Sequence, residues 1–324
     1  METVDAVVVG GGPAGSACAA RLVREGMSVA VLDREEFPRT KLCAGWITPR
    51  VAADLELDLA SYPHRLNTFE SIVVHLWGLS FELAGPQHSI RRFEFDDFLL
   101  RRSGARILRH TVKEIRREAN GYVVDGRLRG RFLVGAGGTR CPVYRTLFRE
   151  ANPRARELQV ATLEHEWPHA WSDPRCHLWF FDGGLPGYAW YVPKADGFVN
   201  CGLGGMAKRL ERRGTSLKQH WHRFTARLAR EGLVEKADFE PRGYTYYLRG
   251  AVDTARVQDA LLAGDALGLA TRDLCEGIGP AVESGQRAAE AIRTGAAYSV
   301  AGVPAYSAER RLVRRFLERW MIAA

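Results

Sequence analysis

Gly10, Gly12 and Gly15, with Asp33 beyond them, are the residues of this chain whose types and spacing most directly specify chemistry. The run Gly10-Gly11-Gly12-Pro13-Ala14-Gly15 follows an apolar stretch at 6–9 and precedes an alanine-rich stretch at 16–22, so it reads as strand, tight turn and helix. In such a turn Gly10 permits the bend, Gly12 lets a pyrophosphate approach the backbone, and Gly15 lets the helix pack on the strand. The free N–H groups of the helix start then face phosphate charge. A second strand at 28–32 ends in Asp33, near the spacing at which a carboxylate holds a ribose hydroxyl. Strand, helix, second strand and acid in register describe a dinucleotide site, although the fingerprint alone does not separate NAD from FAD.

These residues need a framework that closes late in the chain. A strand at 260–263 runs into Gly264-Asp265-Ala266, and a long helix begins near Gly279-Pro280, returning the chain to the nucleotide domain. Between lie a helix at 49–57, antiparallel strands at 71–77 and 79–83, and a helix at 95–102 with Phe95, Phe98 and Leu99 on one side. Strands follow at 106–108, 122–125 and 131–134, the last running into Gly135-Ala136-Gly137-Gly138. From 158 to 248 the texture turns aromatic and alternating, with segments at 159–167, 177–181, 189–192 and 198–203 that predict a largely antiparallel sheet. A helix at 216–232 interrupts it, its Trp221, Phe224 and Leu228 spaced as core residues. Tyr188 and Trp190, alternate residues of one strand, share a face.

The bulk numbers bound the class. At 324 residues and 46% hydrophobic content the chain can bury a full core, in two domains or one with a large insertion. No stretch approaches the roughly 20 apolar residues of a membrane span. The start lacks a signal peptide's basic region, so the expected location is the cytoplasm, with a peripheral membrane contact left open. The net charge of +8 has a local surplus in Arg310, Arg311, Arg314, Arg315 and Arg319. Such a surplus suits anionic ligands, acidic partners, a membrane surface or simply a solvated face; without a recognition motif, nucleic acid is not expected. Six scattered cysteines with no CxxC pattern suggest neither zinc nor disulfides. His220-x-His222 on a helix would not face one way, no other histidine shows a metal spacing, and no Ser/His/Asp triad is readable. With no second GxGxxG, a pyridine nucleotide would bind transiently rather than in a domain of its own.

Four separated motifs then converge: Gly10-x-Gly12-x-x-Gly15, Lys41-x-Cys43-Ala44-Gly45, Pro186-Gly187-Tyr188-Ala189-Trp190-Tyr191-Val192-Pro193, and Gly264-Asp265-Ala266 followed by Glu276-Gly277-Ile278-Gly279-Pro280-Ala281. Arg92-x-x-Phe95-Asp96 is a fifth, weaker match. Together they resemble the geranylgeranyl reductase family of FAD-dependent oxidoreductases, within the para-hydroxybenzoate hydroxylase-like flavoproteins. The resemblance implies an α/β plus antiparallel-β fold: a Rossmann-like FAD-binding domain (1–68, 92–150 and 249–300), an interleaved antiparallel-sheet substrate domain (69–91 and 151–248), and a basic C-terminal helix (305–321, within 301–324). It implies FAD contacts at Gly10, Gly12, Pro13, Ala14, Gly15, Asp33, Arg34, Lys41, Cys43, Ala44, Arg92, Val112, Ala136, Gly137, Gly264, Asp265, Gly277, Ile278 and Gly279.

In that frame Asp265 accepts from a ribityl hydroxyl, and the helix beginning at Gly277 turns its positive end toward the reduced flavin. Cys43 lies beside the ring in the resembling family, where it positions or supplies a proton; a small thiol without chemistry is the equal alternative. Tyr188 and Trp190 line the substrate pocket, or else belong to sheet core, and Arg92 is either a cofactor contact or a surface residue at a helix start. Two departures from the family matter: Gly135-Ala136-Gly137-Gly138 lacks the acid of the relatives' Gly-Ala-Asp-Gly, often used near the cofactor or reductant path, and only about 30 residues follow the helix after Gly279, which puts a long lipid in doubt.

The expected activity is reduction of a C=C bond in a small apolar, isoprenoid-like substrate by hydride from flavin N5, the flavin being reduced by NAD(P)H or a reduced electron-carrier protein. A flavin monooxygenase or halogenase-like enzyme using O2 is the alternative, and a non-enzymatic FAD-containing redox or partner protein the third.

Overall fold

The computed structural model describes residues 1–235 and 239–323. In chain order the strands are β1 (Glu2–Val9), β2 (Val29–Asp33), β3 (Trp46–Ile47), β4 (Asn67–Leu76), β5 (Leu79–Ser89), β6 (Arg106–Arg109), β7 (Ile115–Glu118), β8 (Gly121–Val124), β9 (Leu128–Gly135), β10 (Gln159–Pro168), β11 (Cys176–Phe180), β12 (Gly187–Lys194), β13 (Phe198–Met206), β14 (Arg242–Tyr247), β15 (Arg256–Val257) and β16 (Ala260–Leu262). The α-helices are α1 (Pro13–Arg24), α2 (Pro49–Asp54), α3 (Arg92–Arg102), α4 (Ala207–Arg212), α5 (Leu217–Arg230), α6 (Ile278–Thr294) and α7 (Arg311–Glu318). The chain divides into two compact units, one of Met1–Arg39, Phe93–Ala155 and Tyr246–Ser307, the other of Thr40–Arg92, Arg156–Thr245 and Ala308–Ala324.

The first unit is built on a sheet ordered β15-β16-β9-β1-β2-β6, with the β7–β8 hairpin leaving from β9. Strands β16, β9, β1, β2 and β6 run parallel to one another, while β15 joins β16 and β8 joins β9 antiparallel. Parallel strands covered on both faces need continuous apolar runs, and the buried stretches Ala6–Val9, Val29–Leu32 and Ala260–Leu262 are such runs. Helices α1 and α6 pack closely because Gly285 brings the α6 backbone against Ala14: a Cβ on Gly285 would stand 2.1 Å from the Ala14 carbonyl oxygen.

The second unit is a mixed, largely antiparallel sheet ordered β14-β10-β13-β12-β11-β4-β5-β3. Helix α5 starts with a reciprocal Ser216/Gln219 capping box and covers one face: Trp221, Phe224 and Leu228 pack with Trp179, Tyr191 and Leu203. On the opposite face the register aligns two apolar rows. One runs Tyr188–Phe180–Leu76–Leu79 and the other Trp190–Leu178–Val74–Phe81, across β12, β11, β4 and β5.

Most elements lie where the residue pattern predicts them, with shifted ends. Helix α3 starts at Arg92 and α2 stops at Asp54. The C-terminal helix begins at Arg311 rather than 305, because the chain before it is tied elsewhere: Arg272 N–H donates to the Ala305 carbonyl and Ser307 N–H to the Asp273 carboxylate. The six cysteines are free thiols. Among the described residues no helix is long and apolar enough to cross a membrane, and no cluster of metal-ligating side chains occurs.

Candidate active site

In the first unit the predicted glycines gather at the carboxyl ends of parallel strands. Gly10 takes φ 113° and lies against the β9 end, where a Cβ would be 2.4 Å from the Ala136 carbonyl oxygen. At Gly15 a Cβ would meet the Gly10 carbonyl oxygen at 1.9 Å, so glycine is obligatory there. Gly12 is different: its Cβ position is open except for Arg39 Nη2 at 3.5 Å. It precedes α1 with no side chain capping the helix and with Pro13 in the first turn. The α1 N–H groups are thus offered to an external anion, with the Arg39 guanidinium beside them and anchored on buried Asp96 at 3.2 Å.

Asp33 ties β2 to this turn, accepting from Gly11 N–H at 2.8 Å through one oxygen and from Glu35 N–H at 3.0 Å through the other. Each oxygen keeps a lone pair for a hydroxyl. Arg34 is exposed and paired with Glu35, Val112 is buried in the core, and Ala136-Gly137 follows β9. Gly264 (φ 62°) turns the chain after β16 and donates its N–H to Ser284 Oγ at 2.9 Å. Asp265 Oδ1 lies 3.4 Å from where a Gly277 Cβ would be, beside an α6 start that carries no side-chain cap and no acid in its first turn. Two helix N-termini without a side-chain cap, Gly-only packing and two carboxylates, Asp33 and Asp265, fit an extended dinucleotide.

The second unit holds the Cys43 loop by a buried polar cluster that residue spacing gave no hint of. Glu164 accepts from Cys43 N–H, Asn200 Nδ2 donates to the Cys43 carbonyl at 3.4 Å, and Trp190 Nε1 donates to Asn200 Oδ1 at 2.8 Å. Fully buried Lys194 donates to the carbonyls of Ala44, Gly45 (3.3 Å) and Ile90 (2.9 Å). Gly45 at φ 64° is needed here, since a Cβ would lie 2.1 Å from the Ile90 carbonyl oxygen. Gly202 makes the room: a Cβ there would stand 2.2 Å from Trp190 and 2.8 Å from Glu164. Tyr188 and Trp190 share a face with ring centroids 5.9 Å apart, Lys41 places its ammonium over the Tyr244 ring, and Arg92 is buried rather than on the surface.

Burial pushes the Glu164 carboxyl up to about 7, against the opposing pull of the Cys43 N–H, Asn200, Lys194 and Lys41, while burial lowers Lys194. A carboxyl whose folded pKa is raised binds its proton more tightly in the folded chain. Its stabilisation is therefore full below the unfolded value near 4.5 and is lost as pH rises through about 7. Glu276, also raised to about 7 by burial, acts in the same direction. Glu164→Gln should remove the Glu164 share, up to about 3 kcal/mol, from the stability lost between these pH values. Urea unfolding of both proteins across that window reads the difference, and parallel curves would refute the assignment.

The model of the FAD dependent oxidoreductase family matches residues 5–91. The menaquinone reductase of Mycolicibacterium smegmatis is 32% identical over 90% of this chain and 76% of its own length. The geranylgeranyl diphosphate reductase of Rhodobacter capsulatus is 28% identical over 93% of this chain and 77% of its own. Among solved structures, a geranylgeranyl bacteriochlorophyll reductase-like protein of Thermoplasma acidophilum matches with a TM-score of 0.77 at 20% identity, covering 98% of this chain and 83% of that one. A flavin-dependent brominase matches at 0.69 and 18%, over 98% of this chain and 83% of its own, so the fold serves more than one flavin chemistry. With its paired helix N-termini and its sequence kinship to two reductases, the chain belongs to the geranylgeranyl reductase family of FAD-dependent oxidoreductases.

Proposed function

We propose that this FAD-dependent oxidoreductase reduces a C=C bond of an apolar, isoprenoid-bearing substrate. The observation that carries the reading is the aromatic face of Tyr188 and Trp190, continued by Phe180 and Leu178, lying in one unit with a Cys43 loop whose backbone is fixed by Glu164, Asn200 and Lys194. Such a face excludes water from a greasy substrate while the fixed loop holds its polar groups in one geometry. Two relatives add support, since menaquinone and geranylgeranyl diphosphate both carry isoprenoid chains with C=C bonds.

Gly10, Gly12 and the α1 start, with Arg39, would hold the pyrophosphate; Asp33 would take a ribose hydroxyl and Asp265 a ribityl hydroxyl. The uncapped α6 start from Gly277 to Gly279 would favour negative charge on a reduced flavin. When bound, FAD would supply the hydride, the reducing equivalents coming from NAD(P)H or a reduced electron carrier. Glu164, poised near neutrality, sets the proton inventory around the Cys43 loop, and Tyr188 and Trp190 orient the substrate.

The test is anaerobic. Holoprotein reduced with dithionite and mixed with geranylgeranyl diphosphate, which has no quinone ring to take the electrons, should recover oxidised-flavin absorbance and yield a product heavier by one H2. Recovery only on admitting air, with an oxygenated product, would establish the oxygenase alternative instead.

A further inference from the structure

The second unit carries an apolar surface with a basic border that the proposed chemistry does not use. Strands β4 and β5 are joined by Trp77 and Gly78, both at positive φ (50° and 83°), so a bulky aromatic residue occupies a conformation that normally selects glycine or asparagine. Trp77 is 58% exposed and Leu79, next along, is 72% exposed. Phe81 and Leu83 are exposed as well and share the Leu79 face by alternation. Trp77 also packs edge-on against Phe316 and Trp320, with centroids 5.6 and 5.1 Å away, which joins the hairpin tip to the C-terminal segment. That segment is anchored at its far end, where the Arg209 guanidinium donates to the carbonyls of Trp320 and Met321.

Helix α7 turns Leu312 (80% exposed) and Val313 outward. Residues 308–324 contain five arginines and two glutamates, and Arg310, Arg311, Arg315 and Arg319 are exposed. Near the hairpin tip Glu82 pairs with Arg175 at 3.1 Å, and Asp182 and Glu231 pair with Arg227 at 2.9 and 3.7 Å.

We propose that the β4–β5 tip and the C-terminal helix form one docking surface for an anionic lipid bilayer. Exposed Leu, Phe and Trp side chains on two elements, held together by ring contacts and edged by a segment whose five arginines outnumber its two glutamates, suit an interface that is apolar below and negatively charged above. Aromatic and arginine side chains partition well at that boundary, apolar body inward and polar end in the headgroups. The same sheet face continues in register from Leu79 and Phe81 to Tyr188 and Trp190. Granted the isoprenoid reading, a substrate leaving the bilayer would meet one unbroken apolar face; the docking itself does not depend on that reading.

Flotation of the holoprotein with vesicles of phosphatidylcholine, or of equal parts phosphatidylcholine and phosphatidylglycerol, tests the surface without measuring turnover. The protein should partition onto the anionic vesicles and detach in high salt. Arg311→Gln/Arg315→Gln/Arg319→Gln should weaken partitioning on the order of fivefold per arginine. Leu79→Ser/Phe81→Ser should weaken it about tenfold or more at low salt. All of these positions are exposed, so thermal unfolding of the variants should match wild type, which separates loss of docking from loss of fold. Equal partitioning onto both vesicle types, failure to float, or variants that bind as wild type would each overturn the proposal. So would a solution dimer that Leu79→Ser/Phe81→Ser dissociates, since the face would then be covered by a second copy.

Discussion

Gly12→Ala should fold normally and lose FAD, whereas Gly15→Ala should lose the fold itself. The two glycines are three residues apart in one motif, yet the space around them differs. At Gly15 a methyl group would be 1.9 Å from the Gly10 carbonyl oxygen and 3.2 Å from Val8 Cγ1, both in the buried contact between β1 and α1. Neither neighbour is a flexible side-chain end, so the helix must move off the strand. The cost is about 3 kcal/mol or more with or without cofactor. At Gly12 the methyl group would meet only Arg39 Nη2 at 3.5 Å, an ordinary contact, and the backbone there (φ −75°, ψ −175°) is open to any residue. The apoprotein's stability should change by no more than about 0.5 kcal/mol. The methyl group would, however, stand at the uncapped α1 start where the pyrophosphate must approach, and FAD should bind on the order of 100-fold more weakly. Gel filtration followed by the flavin spectrum, calorimetric titration with FAD and melting of the apoproteins separate the two outcomes. A yellow Gly12→Ala protein with wild-type affinity would remove the pyrophosphate from this turn.

That contrast marks the part of the site legible in residue order. The glycine turn, Asp33, Gly264-Asp265 and the helix start at Gly277 are local patterns, each made by neighbours in the chain, and each stands at the carboxyl end of a parallel strand or at the start of a helix. Alternation likewise marks Tyr188 and Trp190 as residues of one face, and helical spacing marks Trp221, Phe224 and Leu228 as core.

Glu164, Asn200 and Lys194 left no such mark, for a physical reason. In β10 Glu164 alternates with apolar Leu163 and aromatic His165, a pattern that ordinarily sends the acid to solvent. It is buried because its cross-strand partner is Gly202, whose missing side chain admits both the Glu164 stem and the Trp190 ring. The bond from Cys43 N–H to Glu164 spans 121 residues and the bond from Lys194 to Ala44 spans 150. No local rule reports contacts made by sheet order. The closest signal was the pair Gly202 and Gly204 inside a strand, since glycine there often means that something large approaches closely. The start of α7 is likewise set at a distance, because Asp273 and Arg272, more than 30 residues away, hold the backbone at 305–307.

Lys194→Met should be the most damaging single change in the second unit. Methionine matches the stem's length and apolarity, so little packing is lost, but the carbonyls of Ala44, Gly45 and Ile90 lose their shared donor in a buried setting. Breaking a buried charged hub in this way costs about 3–5 kcal/mol. A merely structural lysine would give that loss of stability and nothing else. Here two further readouts should move. Lys194 is one of the charges restraining the pKa of Glu164, so its removal should carry the Glu164 midpoint above about 7 and shift the pH dependence of stability upward. The Cys43 loop, released from Lys194, should also let its thiol react faster with iodoacetamide, while Cys18, Cys141, Cys176 and Cys201 stay buried and protected. In the double variant with Glu164→Gln the combined loss should fall short of the sum, because the acid no longer lacks a compensating charge. Additive losses with an unchanged alkylation rate at Cys43 would show that Lys194 only fills space, and that the loop keeps its shape by other means.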